Sequence, residues 1–219
     1  MAKIAPDKAV LFIPYGYPGS GRTHFANLFS DSVNAAHLSD DRLRQELFDK
    51  PTFDKQEDEV IGRLVEYLAE EFLKSGISVI YDTDLPRTGQ RRQLKAIAKE
   101  HNAACLILWF QIDIESSFLR LSKRDRRKTE ERSAKPYDRS QFDDYIKTMQ
   151  NPRDEEYLVL SGKHTFNTQK SAVVKKLYEM GLISADSASS QVIKPGLVNL
   201  VPQLRAGRVD ESRRNIVIR

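Results

Sequence analysis

"GYPGSGRT", residues 16–23, decides how this chain is read. It departs by one letter from the phosphate-loop pattern G-x-x-x-x-G-K-[ST], because Arg22 stands where lysine is usual. The pattern carries meaning only between a strand and a helix, and both flanks are present. "AVLFIPY" (9–15) is a near-continuous apolar run, as a strand buried on both faces requires, and "THFANLFSD" (23–31) reads as the helix. Gly16, Gly19 and Gly21 permit close backbone approach, so the amides through Ser20 and Arg22 can converge on phosphate oxygens at a positive helix end. Thr23 offers its hydroxyl to a magnesium ion bridging the terminal phosphates. Arginine is longer, planar and forked where lysine is a compact point charge, so the exchange is not conservative at a crowded site. Its charge still suits phosphate. Two readings stay open: a loop that transfers phosphate with an unusual cation, or one that only grips it.

Outward from the loop, strands and helices alternate, which predicts a parallel α/β sheet. A second strand is predicted over 33–39, followed by a short helix, "DDRLRQELF", with acids in its first turn. Residues 54–75 carry the strongest helical pattern: Ile61, Leu64, Val65, Leu68 and Phe72 recur at three- and four-residue spacing. Strands are then expected at 77–82, 104–113 and 156–162, and helices at 89–102, 115–126, 141–150 and 169–181. Trp109 lies within the fourth apolar run and is read as core. "SADSASSQ" (184–191) is the best linker, and 184–219 beyond it forms a tail with no readable role.

Three groups of residues add chemistry to the loop. Asp40 and Asp41 follow the second strand, on the sheet edge that opens toward the phosphate loop. There, a carboxylate at Asp41 can accept the proton of an attacking hydroxyl while Ser39 or Asp40 caps the helix. Arg44, three residues on, would share its helix face. Asp82 closes the apolar run "VIYD", a position suited to magnesium or its waters, and Asp84 follows. Arg120, Arg124, Arg126 and Arg127 form a basic helix end that reads as a lid over transferred phosphate.

The 219 residues suit one well-cored domain. Net charge is +4, unevenly placed: residues 120–139 hold nine Lys/Arg against four acids, and 205–219 hold five Arg against two. Either segment suits phosphate, and nucleic acid is a possible partner, although only Tyr137 offers base stacking there. One cysteine, Cys105, inside an apolar run argues against disulfides and fits a reducing compartment. No stretch reaches membrane-spanning length, so a cytoplasmic protein is expected. The four histidines are scattered and suggest no metal site.

Taken in order, "GYPGSGRT", "LSDDRLRQELF", "VIYDTDLPRTGQRR", "LRLSKRDRR" and "FDDYIKTMQNP" resemble the small P-loop phosphotransferases of the AAA-type kinase group, over about residues 9–180. That group includes phage-type polynucleotide 5′-hydroxyl kinase and the zeta-toxin-like kinases. The resemblance implies a P-loop NTPase fold of the nucleoside-monophosphate-kinase-like kind, three-layered α/β/α, with a basic helical lid at about 120–150 and the domain ending near 183. It implies ATP, or GTP in its place, and Mg2+ as cofactors, with a hydroxyl-bearing acceptor. Gly16, Gly19, Ser20, Gly21, Arg22, Thr23, Arg120 and Arg124 would bind the nucleotide, and Thr23 and Asp82 the metal. Asp41, Arg22 and Arg124 fall at catalytic positions; Asp41, Arg44, Asp84 and Arg91 fall at substrate positions. Arg91 and Arg92 match an arginine pair after the third strand. Two positions depart from the pattern: Arg22 replaces lysine, and Asp84 stands where asparagine is frequent.

Overall fold

Val10–Gly16 (β1) is buried at all seven positions, because its residues alternate between two cores rather than between core and water. Val10 and Phe12 point into one core with Phe25, Phe29, Leu106, Leu108 and Val173. Leu11, Ile13 and Tyr15 point into the other with Ile61, Val65, Leu73 and Leu94. In this computed structural model, residues 3–124, 134–185 and 187–188 are described.

Four further strands flank β1: Ala35–Ser39 (β2), Ser78–Asp82 (β3), Ala104–Gln111 (β4) and Tyr157–Ser161 (β5). The order is β2-β3-β1-β4-β5, and every pair is parallel. The chain leaves β1 and crosses β3 to reach β2, then returns, so β1 lies at the switch point where ligands of open parallel sheets bind. Helices Arg22–Ser32 (α1) and Phe166–Glu179 (α7) contribute to the first core. Helices Lys55–Lys74 (α3) and Thr88–Glu100 (α4) contribute to the second. Three further helices are Asp40–Leu47 (α2), Ile114–Ser122 (α5) and Arg139–Thr148 (α6). The chain has the three-layer α/β/α architecture around an all-parallel sheet that the resemblance implies.

Where boundaries differ from expectation, local hydrogen bonding explains them. The second strand begins at Ala35, not 33, because Val33 is fully buried as the end of α1 and bridges to Ile4. Helix α6 starts at Arg139 because Asp138 and Gln141 form a reciprocal cap, and α7 starts at Phe166 because Thr165 caps it. Helix α5 ends at Ser122; Arg126, Arg127 and nearly all of the expected tail lie outside the described residues. Among the described residues, no helix is long and apolar enough to cross a membrane.

Candidate functional site

Side-chain oxygens of Ser39, Asp54, Asp113, Asp138 and Thr165 cap α2, α3, α5, α6 and α7. Helix α4, like α1, has no such oxygen at its N-cap, but there Gln90 reaches back to the Arg87 amide, whereas α1 starts from a left-handed glycine, Gly21, with no side-chain cap. Its first amides are thus left for another acceptor. Gly21 has φ 100°, and a Cβ there would enter open space. That space is a cleft of about 1030 Å³, lined by the loop, Asp41, Arg120, Lys123 and Arg124. The loop is braced from behind: Ser117 Oγ donates to the Pro18 carbonyl at 2.9 Å, and a Cβ on Gly19 would lie 2.3 Å from the Ser117 carbonyl oxygen. Ser20 is buried, and its hydroxyl finds no partner among the described residues.

Two oxygens suited to a hard cation meet beside this loop. Thr23 Oγ1 lies 3.3 Å from Asp82 Oδ1, and His37 Nε2 approaches Asp82 Oδ2 at 3.2 Å. Among the described residues no cluster of three His, Cys, Asp or Glu is arranged to hold a metal. The pair fits Mg2+, which takes few protein oxygens and fills its shell with phosphate and water.

Asp41 faces the cleft from the first turn of α2 and accepts the Lys135 amide at 3.2 and 3.3 Å. Burial pushes its carboxyl up to about 7, with Asp84 and Asp82 adding repulsion against the Lys135 amide and Arg124. Asp40 is raised by burial and then by Asp41 and Asp84; its Oδ1 accepts the Asp41 amide at 2.8 Å. Asp84 goes the other way. Burial opposes its ionisation, but Arg22, Tyr137 and Tyr145 outweigh it and hold the carboxyl below the usual range. The Arg22 guanidinium donates to Asp84 Oδ1 at 2.7 Å, and the hydroxyls of Tyr137 and Tyr145 donate at 2.9 and 3.1 Å. All of these groups border one small recess or adjoin it, together with Arg124, beside the main cleft.

Two expected substrate arginines are instead committed within the fold. Arg44 donates to Glu57 and Asp58 of α3, with 5% of its side chain exposed, so it turns away from Asp41. Arg91 is 1% exposed, donates to Glu155 and to the carbonyls of Leu85 and Gln150, and stacks over Tyr15. Neither lines the main cleft or the small recess. Arg120 donates to the Gly162 carbonyl at 2.8 Å and so ties α5 to the turn after β5 at the cleft wall. Trp109 packs edge-on to Tyr15 and Tyr157, a margin-of-core role.

The sequence reading missed Tyr145, His37 and the Lys135 amide, and it weighed Tyr137 only as a stacking ring. The Asp138–Gln141 cap was a usable signal for where α6 begins, and hence for Tyr145 one to two turns in. Nothing local marks the tyrosines as partners of Asp84, which lies 53 and 61 residues away.

A family model described as "AAA domain" matches residues 11–152. No curated protein matches the chain. Among solved structures, the fold is similar to Kti12 of Chaetomium thermophilum in complex with ADP-AlF3, at 20% identity and TM-score 0.59, covering 77% of this chain and 97% of that one. It is similar to an unliganded sugar kinase from Janibacter sp., at 15% identity and TM-score 0.55, covering 85% and 99%. It is similar also to the APS kinase CysC of Mycobacterium tuberculosis in complex with AMPPNP and APS, at 16% identity and TM-score 0.53, covering 79% and 99%. At these identities the likeness is one of fold.

Proposed function

Since the chain belongs to the AAA domain family, whose model spans more than half of it, we propose that it binds ATP with Mg2+ and transfers the γ-phosphate to a hydroxyl. The observation that carries this reading is the pairing of the uncapped α1 loop with Asp41 on the same cleft. The loop amides and Arg22 would hold the phosphates, with Arg120 and Arg124 lining the same cleft. Thr23 and Asp82 would hold Mg2+, which neutralises charge on the phosphate oxygens. Asp41 would accept the proton of the attacking hydroxyl as its oxygen bonds to the γ-phosphorus, while ADP leaves with the cleaved bond's electrons. A carboxyl shifted to about 7 is well matched to that work. The acceptor class extends over polynucleotide ends, nucleotide sugars and small metabolites, since fold does not choose among them. Residues 1–183 would form the kinase-like domain, and the lone, half-buried Cys105 accords with a cytoplasmic setting.

A second reading is favoured by the Arg22–Asp84 ion pair: a nucleotide-binding module with impaired transfer, because its loop cation already has a partner. One experiment separates the two. Transfer of labelled γ-phosphate, to water or to a panel of hydroxyl acceptors, is expected from the natural protein and lost in Asp41→Asn. Transfer seen only after Arg22→Lys would establish the binding module instead, and unchanged transfer in Asp41→Asn would remove Asp41 as base.

A further inference from the structure

We infer that Asp84 is a positioning residue for Arg22, its carboxylate holding the guanidinium in place at the phosphate loop, so that the pair together occupies the role of a single loop lysine. The inference rests on the nucleotide-binding reading above. Arg22 opens α1 directly after Gly21, and its side chain is only 13% exposed. It borders both the main cleft and the acidic recess, so it lies between the phosphate side and the carboxylates. A guanidinium is a planar fork whose donors act only along fixed directions, so what sets its orientation decides what it can reach, whereas an ammonium is a compact point charge with rotatable donors. Asp84 supplies a lateral stop for the Arg22 guanidinium at 2.7 Å.

The stop is itself fixed. Asp84 accepts Tyr137 on Oδ2 and Tyr145 on Oδ1, and the two rings meet edge to face at 6.0 Å. Three donors from two parts of the chain, the phosphate loop and the segment around α6, therefore converge on one carboxylate just beyond the end of β3. A group that had to reach out to an acceptor substrate would not be so restrained. The arrangement suits aim rather than contact, and small errors of aim at a transferring phosphoryl group are costly, up to about a hundredfold per ångström.

A mutant cycle tests this, read by calorimetric affinity for Mg·AMPPNP and by hydrolysis of Mg·ATP to ADP and phosphate. Asp84→Asn is expected to weaken Mg·AMPPNP about fivefold and to lower hydrolysis about tenfold. In an Arg22→Lys background the same substitution is expected to leave Mg·AMPPNP affinity unchanged, because Asp84 acts through the guanidinium; hydrolysis is compared above pH 8, where Asp41 is ionised with or without the repulsion of Asp84. The paired variant Tyr137→Phe/Tyr145→Phe keeps the ion pair and loosens the stop. It should show the same dependence on Arg22 with losses of about two- to fivefold, and it serves if Asp84→Asn does not fold. Equal losses in the natural and the Arg22→Lys backgrounds would overturn the inference, as would tighter binding in Asp84→Asn, which would mark Asp84 as a competitor of phosphate. Phosphoryl transfer absent throughout, to water and to the hydroxyl acceptors alike, with a coupled affinity cycle, would remove the kinase reading and keep the inference. Hydrolysis present with an additive cycle would do the reverse. Failure of the natural protein to bind Mg·AMPPNP would remove both.

Discussion

Arg22 and Asp84 stand 62 residues apart in the chain and 2.7 Å apart in the fold, and they are the two positions where the sequence departs from the pattern it resembles. A lysine-to-arginine change is poorly tolerated alone at a crowded phosphate site. An aspartate in place of asparagine adds a partly buried negative charge that also needs a partner. Each departure supplies what the other lacks.

That mutual dependence has a measurable stability signature. Asp84→Ala leaves the Arg22 guanidinium buried without its carboxylate. Breaking a buried pair from one side is strongly destabilising, and the 31% exposure of the Asp84 side chain moderates it to about 2–3 kcal/mol. Replacing both partners, as in Arg22→Met with Asp84→Leu, is expected to recover most of the loss. Urea denaturation of nucleotide-free protein at pH 7 reads both. A double variant as unstable as Asp84→Ala would count against the pair as the origin.

Asp41 predicts opposite effects on activity and stability. Its carboxyl is pushed up to about 7, first by burial and then by Asp84, so the base becomes ionised as pH rises through that value. Transfer is expected to climb with pH up to about 7 and then level. Asp41→Asn should lower it by about a hundredfold or more. For stability the sign follows from proton uptake: between about pH 4, the unfolded value, and about 7, the folded form binds more protons than the unfolded one. Stability attributable to Asp41 therefore falls as pH rises across that window. Asp41→Asn should raise stability at pH 8 by about 1–2 kcal/mol, discounted for partial solvent screening, with the gain fading toward pH 4. Thermal melts at the two pH values provide the check.

The alternation of buried strands and amphipathic helices was legible because both faces of the central strands meet core, which turns "AVLFIPY" and "ACLILWF" into unbroken apolar runs. The loop was legible because its glycines have local jobs. The arginines were not. Arg44 and Arg91 carry the same charge as Arg22, and only three-dimensional neighbours, Glu57 and Glu155, show that their donors are already used. Those partners lie 13 and 64 residues away, beyond any local spacing rule. Asp84 was read as a contact to substrate for the same reason, since its tyrosines come from the segment around α6.

Arg91 should behave as a structural residue. Its side chain is fully enclosed, bound to Glu155 at 2.8 Å and stacked 4.7 Å from the centre of the Tyr15 ring. Arg91→Ala is expected to cost about 3–5 kcal/mol, and Glu155→Gln somewhat less, because a buried charge loses its ionic partner in each. Chemical denaturation measures the loss. A folded Arg91→Ala protein that kept its stability but lost acceptor affinity would restore Arg91 to the substrate side.

The loop glycines separate packing from ligand contact. A Cβ on Gly19 would meet the Ser117 carbonyl oxygen at 2.3 Å, so Gly19→Ala must push α5 off the loop. With φ 88° adding backbone strain, a loss of about 2–4 kcal/mol is expected. A Cβ on Gly21 meets nothing within 4 Å, so Gly21→Ala bears only the strain of φ 100°, about 1–2 kcal/mol. Gly21 lines the cleft, however, so its methyl group would take up space beside the uncapped start of α1. Gly21→Ala should therefore lose at least about tenfold in Mg·AMPPNP affinity while melting only slightly earlier, whereas Gly19→Ala should melt much earlier. Equal melting losses with unaltered nucleotide affinity in Gly21→Ala would show that the open face of the loop is not where phosphate sits.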